Sequence, residues 1–315
     1  MQFIDRETVL NRLTFRPLID ALGDMFREGC VAPVRHHHIL AAAENLAAAD
    51  LLLMPAWQQG RHIGIKIVTV FADNAAQALP AVMASYLLLD GQTGQPRAFI
   101  DGETLTVRRT AAASALAAGY LARANAKSLT MIGTGAMAPH LIDAHAAQRP
   151  LEIVRVWGRT PEKAARLVAR MQDRPFRVEI ADDREAAVRA GDIISCATLS
   201  KTPLVEGAWL QPGTHVDLVG AFKADMRETD DAVMARGEIF VDTRDGAMAE
   251  AGDLIQAFAT GAARVDDIQG DLFQMCQGQI AGRRHEDEIT VFKSVGTALE
   301  DLAAAILVTK EPTAA

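Results

Sequence analysis

The segment Ser128–Ala138, SLTMIGTGAMA, decides the fold. Leu129, Met131 and Ile132 form a short apolar run that ends in Gly133-Thr134-Gly135-Ala136-Met137-Ala138, and Pro139 to Ala147 then read as a helix. An apolar strand, a G-x-G-x-x-A turn and a helix together make a dinucleotide-binding turn. The first glycine permits the tight turn, and the second lets backbone N–H groups approach a pyrophosphate. The small third residue lets the helix lie close on its strand. The helix N-terminus adds roughly half a positive charge facing the phosphates.

Beyond this turn the chain alternates strand and helix. Strands are expected at Leu129–Ile132, Ile153–Trp157, Arg177–Ile180, Ile193–Cys196, His215–Leu218 and Ile239–Val241. Helices are expected over 139–148, 161–172, 183–190 and roughly 226–236. That rhythm predicts an α/β fold with a Rossmann-type, doubly wound parallel sheet. The preceding hundred residues read differently. A helix over 5–29, with Asp5 and Thr14 as caps, leads to strands at 50–56, 62–71, 80–90 and 97–101. This is an α+β domain with a mostly antiparallel sheet. An Ala-rich helix over about 101–126 joins the two. The tail, Ile289 to Val308, holds a short strand and an amphipathic helix that returns to the first domain. The expected division is 1–118 plus about 296–315 for the first domain and 119–295 for the second.

The 315 residues are 50% hydrophobic and 5% aromatic, enough for two sizeable cores. A net charge of −8 argues against nucleic acid or an anionic membrane as the main partner. Cys30, Cys196 and Cys276 are widely spaced and form no C-x-x-C pair, so neither a disulfide scaffold nor a zinc site is expected, and a reducing cytoplasm fits. The N-terminal stretch shows no secretory pattern, and no run reaches the ~18 apolar residues that would span a bilayer. The expected protein is cytoplasmic.

In this fold an acidic residue closing the second strand selects NAD, whereas an arginine pairs with the 2′-phosphate of NADP. Here that strand ends Val156-Trp157-Gly158-Arg159-Thr160, without a carboxylate. NADPH is the expected cofactor, with NADH less favoured. The chemistry should come from the first domain. Lys66 lies in the apolar strand Ile63-Gly64-Ile65-Lys66-Ile67-Val68. It is either an edge-strand lysine reaching solvent or a buried charge that is paired or shifted in pKa. Gly64 beside it suggests close approach of a ligand. Arg108-Arg109-Thr110 opens the Ala-rich helix, where an arginine either clamps a carboxylate or forms a capping ion pair. Arg35 precedes His36, His37 and His38. Consecutive strand residues point to alternate faces, so the three histidines cannot share one ion and no metal is expected.

Together these residues resemble the ornithine cyclodeaminase/mu-crystallin family. The marks are Pro33-Val34-Arg35, Gly64–Val68, Arg109–Ser114, the Gly133–Ala136 loop and Thr290–Gly296, spread over essentially the whole chain. The resemblance implies a homodimer built through the first domain, with substrate between that domain and the nicotinamide. It implies that Arg35, Lys66 and Arg109 address the substrate, with Lys66 catalytic. It assigns the cofactor to Arg109, Thr110, Gly133, Thr134, Gly135, Ala136, Met137, Arg159, Thr160, Ala197, Thr198, Val219, Gly220, Lys293 and Ser294.

One position departs from the cyclodeaminase pattern. That pattern has an aspartate two residues beyond the glycine that follows the fifth sheet strand. Here Gly220-Ala221-Phe222 places Phe222 there, with Asp225 three residues on. Loss of that carboxylate impairs deamination but not imine reduction. GAFKADMRET resembles the branch that reduces cyclic ketimines. The expected reaction is NADPH-dependent reduction of 1-pyrroline-2-carboxylate to L-proline, with 1-piperideine-2-carboxylate to L-pipecolate as a second substrate. Hydroxyproline degradation and lysine or pipecolate metabolism both produce such imines. The alternatives are an amino-acid dehydrogenase on an open-chain 2-oxo acid, an ornithine cyclodeaminase, and a non-catalytic NADPH- or small-ligand-binding protein.

Overall fold

Pro17 shapes the beginning of the chain. In the computed structural model, which describes residues 1–41, 48–77 and 79–310, the helix expected over 5–29 is two helices. Strand β1 (Gln2–Ile4) precedes α1 (Arg6–Arg12), and α2 (Phe15–Glu28) follows a break at Leu13 and Thr14. In one continuous helix the Pro17 ring would collide with the Leu13 carbonyl four residues back. In the first turn of α2 it is tolerated, and the Leu13 carbonyl instead accepts the Arg108 Nε–H at 2.9 Å. Asp5 caps α1 by accepting the Thr8 N–H at 2.9 Å, whereas Thr14 begins α2 without a side-chain capping bond.

Four long or edge strands and a helix-leading strand follow: β2 (His36–Leu40), β3 (Ala49–Gln58), β4 (His62–Val70), β5 (Val82–Asp90) and β6 (Pro96–Asp101). Helix α3 (Gly102–Leu121) starts where Asp101 accepts the Thr104 N–H at 2.8 Å. Arg108 and Arg109 therefore stand inside α3 and not at its entrance. Among the described residues these strands form a six-stranded sheet in the order β1-β6-β5-β4-β3-β2, antiparallel except for β1 beside β6. Its two faces differ. Ile4, Ile100, Tyr86, Lys66 and Met54 stand in register on the buried face. Phe3, Phe99, Leu87, Ile65 and Pro55 line the other, where Phe3 is 77% exposed and Phe99 40%.

The second part runs β7 (Ser128–Ile132), α4 (Met137–Gln148), β8 (Ile153–Trp157), α5 (Pro161–Arg170), β9 (Arg177–Ile180), α6 (Arg184–Arg189), β10 (Ile193–Cys196), β11 (His215–Leu218), α7 (Asp231–Arg236) and β12 (Glu238–Val241). It continues through α8 (Arg244–Glu250), α9 (Gly252–Thr260), β13 (Ile268–Asp271), α10 (Leu272–Cys276) and β14 (Thr290–Lys293). Among the described residues the eight strands are all parallel, in the order β13-β12-β14-β11-β10-β7-β8-β9. The doubly wound sheet is thus present, and strand order reverses between β7 and β10. A ligand crevice opens at the carboxyl ends of strands at such a point. The sequence reading missed β1, α8, α9, β13 and α10. It also began α7 five residues early, because 226–229 are held as loop by Asp253, which accepts the Glu228 and Thr229 N–H groups.

Helix α11 (Ala298–Thr309) closes the chain against α2, β3 and β4. It is not amphipathic as expected: Leu299, Glu300, Asp301, Leu302 and the alanines after them are all buried. The chain divides into Met1–Arg109 with the segment from Thr297, and Thr110–Gly296, so the first break falls at Arg109 and not at residue 118. Residues 311–315 of the expected return segment lie outside the described residues.

Candidate active site

In the first unit the chemistry gathers around Lys66. Strand β4 lies between β3 and β5, so an edge-strand lysine reaching solvent is excluded, and Lys66 is 2% exposed. Its ammonium lies 2.8 Å from Asp301 Oδ2 on α11. Asp301 Oδ1 accepts the Arg109 Nε–H at 2.9 Å, and Arg109 Nη1 donates to Glu300. Burial lowers the Lys66 pKa, Asp301 opposes that, and Arg109 and Arg35 add to it, leaving the ammonium at about 8. Burial raises the Asp301 carboxyl, but Arg109 and Lys66 outweigh it and hold the group below its ordinary value. The structure thus brings Arg35, Lys66 and Arg109 into one electrostatic set with Glu300 and Asp301.

Two readings of this region change. Gly64 does not make room for a ligand: a Cβ there would stand 1.9 Å from Tyr86 Oη, so the missing side chain accommodates Tyr86. Arg108 takes no part, since it is buried, bonded to Leu13 and stacked 3.6 Å over the Phe15 ring. The histidines of β2 are exposed, with His37 Nε2 2.6 Å from Asp50 Oδ1.

In the second unit a cleft of about 490 Å³ opens at the β7–β10 reversal. It is lined by Gly133, Thr134, Gly135, Ala136 and Met137, by Arg159 and Thr160, and by Ala197, Thr198, Val219 and Gly220. Gly133 has φ 120°, and a Cβ there would press to 2.7 Å on the Ala197 carbonyl. Among the described residues, chain neighbours aside, nothing lies within 4 Å of the Cβ position of Gly135, which keeps open the space a pyrophosphate would take. The residues therefore fit a dinucleotide. Trp157, Lys163, Leu199, Ser200, Leu204 and Phe222 also line the cleft. Lys163 was not foreseen, since a basic residue in a first helical turn carries no local signature. Phe222 is 42% exposed.

Lys293 and Ser294 are placed elsewhere. Lys293 is buried behind the cleft wall, donating to the Gly220 carbonyl, and Ser294 donates its N–H to Leu218 at 3.1 Å. Both belong to the support of the cleft. Arg109 and Thr110 lie on α3 and are not among the residues that line the cleft. A buried Ser195, Asp217 and His145 also meet, but Ser195 donates to Asp217 at 2.7 Å and not to the histidine. That is a structural bond without a nucleophile.

A family model, that of the ornithine cyclodeaminase/mu-crystallin family, matches residues 7–314. The chain belongs to this family. A relative within it, the Delta(1)-pyrroline-2-carboxylate reductase of Paracoccus denitrificans, is 38% identical over 302 residues, covering 96% of this chain and 94% of the relative. The fold of this family member is also that of the Thermococcus litoralis Delta(1)-pyrroline-2-carboxylate reductase in complex with NADH and L-proline. The two are 30% identical, with a TM-score of 0.90 and coverage of 98% and 96% of the respective chains. An archaeal alanine dehydrogenase dimer with bound NAD is similar as well, at 29% identity, a TM-score of 0.88 and coverage of 98% and 95%.

Proposed function

We propose that this family member reduces a cyclic imine carboxylate with a nicotinamide cofactor, 1-pyrroline-2-carboxylate to L-proline first and 1-piperideine-2-carboxylate second. The observation that carries the reading is Phe222 in the wall of the cofactor cleft. An aromatic ring there cannot take a proton from a substrate amine or activate water, so the deaminating half of the family chemistry has no base. Imine reduction needs none.

The residues would act as follows. Arg35 and Arg109 hold the substrate carboxylate. Lys66 donates a proton to the imine nitrogen. With its pKa at about 8, it is largely protonated at neutral pH yet releases a proton more readily than an ordinary lysine. General acid help of this kind contributes roughly 10²- to 10⁴-fold. A reduced nicotinamide, when bound, supplies a hydride to the C=N carbon. Gly133 to Met137 would hold its pyrophosphate.

NADPH is the favoured cofactor. Arg159, Thr160 and Lys163 stand together at the cleft, at the start of α5, and among the described residues no acidic one lines it. Two cations and a hydroxyl at a helix N-terminus suit a 2′-phosphate. The open sheet face that carries Phe3, Ile65, Leu87 and Phe99 supports a homodimer, because apolar patches of this kind mark interfaces. Among the described residues Cys30, Cys196 and Cys276 form no disulfide, which fits the cytoplasm. Among the described residues no helix is long and apolar enough to cross a membrane.

Steady-state assays test the reading. Pyrroline and piperideine carboxylates are compared with NADPH and NADH, beside pyruvate plus ammonia and beside ornithine with NAD. Turnover of a cyclic imine without added ammonia is expected. Turnover only with pyruvate and ammonia, or release of ammonia from ornithine, would replace it.

A further inference from the structure

Behind the cofactor cleft lies a closed set of charges that the reaction above does not use. Glu228 is fully buried, and its Oε1 accepts both the Thr198 N–H at 2.6 Å and the Thr198 hydroxyl at 2.8 Å. Lys293, at the end of β14, donates to the Gly220 carbonyl and lies 3.6 Å from Asp253 Oδ2. Asp253, on α9, accepts the N–H groups of Glu228 at 2.8 Å and Thr229 at 3.0 Å. Thr198 and Gly220 both line the cleft, on the loops that follow β10 and β11. One buried cluster therefore holds both loops.

The loops also touch at this point. A Cβ on Gly220 would stand 2.2 Å from the Thr198 carbonyl and 2.4 Å from Glu228 Oε1. The next residue, Ala221, has φ 51°, a left-handed conformation that an alanine keeps only when its surroundings impose it. Its carbonyl accepts the Gly252 N–H at 2.9 Å.

We infer that Glu228 is a positioning residue for the cofactor: its carboxylate places Thr198 and, with Lys293 on Gly220, sets the spacing of the two cleft loops, so that cofactor affinity follows its ionisation. The inference rests on a nicotinamide cofactor occupying this cleft. The groups facing Glu228 are Lys293 from β14, Asp253 from α9 and Cys196 from β10, with Asp242 at the end of β12 acting through Lys293. Burial raises the Glu228 carboxyl, Lys293 pulls it back and Asp253 pushes it up again, which leaves it at about 7. Protonation removes the negative partner of Lys293 on that side and weakens the acceptor of both Thr198 bonds.

Fluorescence titration with NADH from pH 6 to 8.5 tests this without turnover. NADH is the probe because it lacks the 2′-phosphate, which itself titrates near this range. The Kd of the native chain should rise about fivefold as pH falls through 7, the size expected for weakening one buried bond. Glu228→Gln, a mimic of the protonated acid, should keep the weak low-pH Kd at every pH. A flat Kd in the native chain overturns the inference even if Glu228→Gln does not fold. A variant that keeps the native pH profile overturns it too. Failure of the native chain to bind either NADH or NADPH at any pH would overturn the cofactor assignment itself, and this inference with it.

Discussion

Asp301 uses its two carboxylate oxygens on two different cations: Oδ2 lies 2.8 Å from Lys66 Nζ, and Oδ1 accepts the Arg109 Nε–H at 2.9 Å. A residue of the C-terminal helix thus orients a lysine of strand β4 and an arginine of helix α3. All three are closed to solvent. Such an arrangement fixes side chains that would otherwise be long and mobile, and it sets the proton affinity of the lysine.

Asp301→Asn keeps the shape and removes the charge. Asp301 holds the Lys66 pKa up against burial, so its loss lowers that pKa further. Lys66 must be protonated to act as an acid, so kcat in the reductive direction should fall on the alkaline side, with a limb near pH 8 in the native enzyme. In Asp301→Asn the limb should move to lower pH. A pH profile of kcat that does not move excludes Lys66 as the proton donor.

Lys66→Ala should lower kcat by at least about 100-fold, the range lost with a general acid. Its melting temperature should also fall, because Asp301 Oδ2 loses its cation in a buried site. Arg109→Ala should lower kcat/KM by at least about 100-fold and also cost about 3–5 kcal/mol of stability, since it leaves Glu300 and Asp301 with less compensation in a buried site. Kinetics beside denaturant titrations separate the two effects. Near-native kinetics in both variants would remove the mechanism.

Arg159→Asp should raise the KM for NADPH far more than that for NADH, through repulsion of the 2′-phosphate and attraction to the ribose hydroxyls. Lys163→Ala should act in the same direction and more weakly. Equal effects on the two cofactors would show that neither residue reads the phosphate.

The open face of the first sheet should hold a second copy. Ile65→Lys or Phe99→Lys puts a charge where burial needs an apolar surface. Analytical ultracentrifugation should show a native dimer and a monomer in the variants. A monomeric native chain, or variants that remain dimeric, would separate this face from assembly.

The cofactor cleft was legible because its signals are local. The Gly133–Ala138 turn and the Arg159 strand end each declare themselves within a few residues, and the structure sets both along one cleft. The two-helix start could also be read from Pro17, once its collision with Leu13 is considered. Lys66 announced that it needed a partner, but Glu300 and Asp301 passed unnoticed in a tail read as an amphipathic helix. Neither stretch says that the two meet. Gly64 misled because a missing Cβ reports only that something stands close, and that something is Tyr86. Lys293, which the resemblance assigned to the cofactor, turns its side chain back to the Gly220 carbonyl.

The sequence by itself determined the parallel sheet, the dinucleotide turn and the absence of a carboxylate at position 222, because these follow from periodicity and from residue identity at one place. Only the tertiary structure decided which buried charges pair: Asp301 with Lys66 and Arg109, and Glu228 and Asp253 with Lys293. A charge removed from water needs a partner, but the chain can bring that partner from any distance along its length. Pairing is settled by packing, and with it the protonation states on which the chemistry depends.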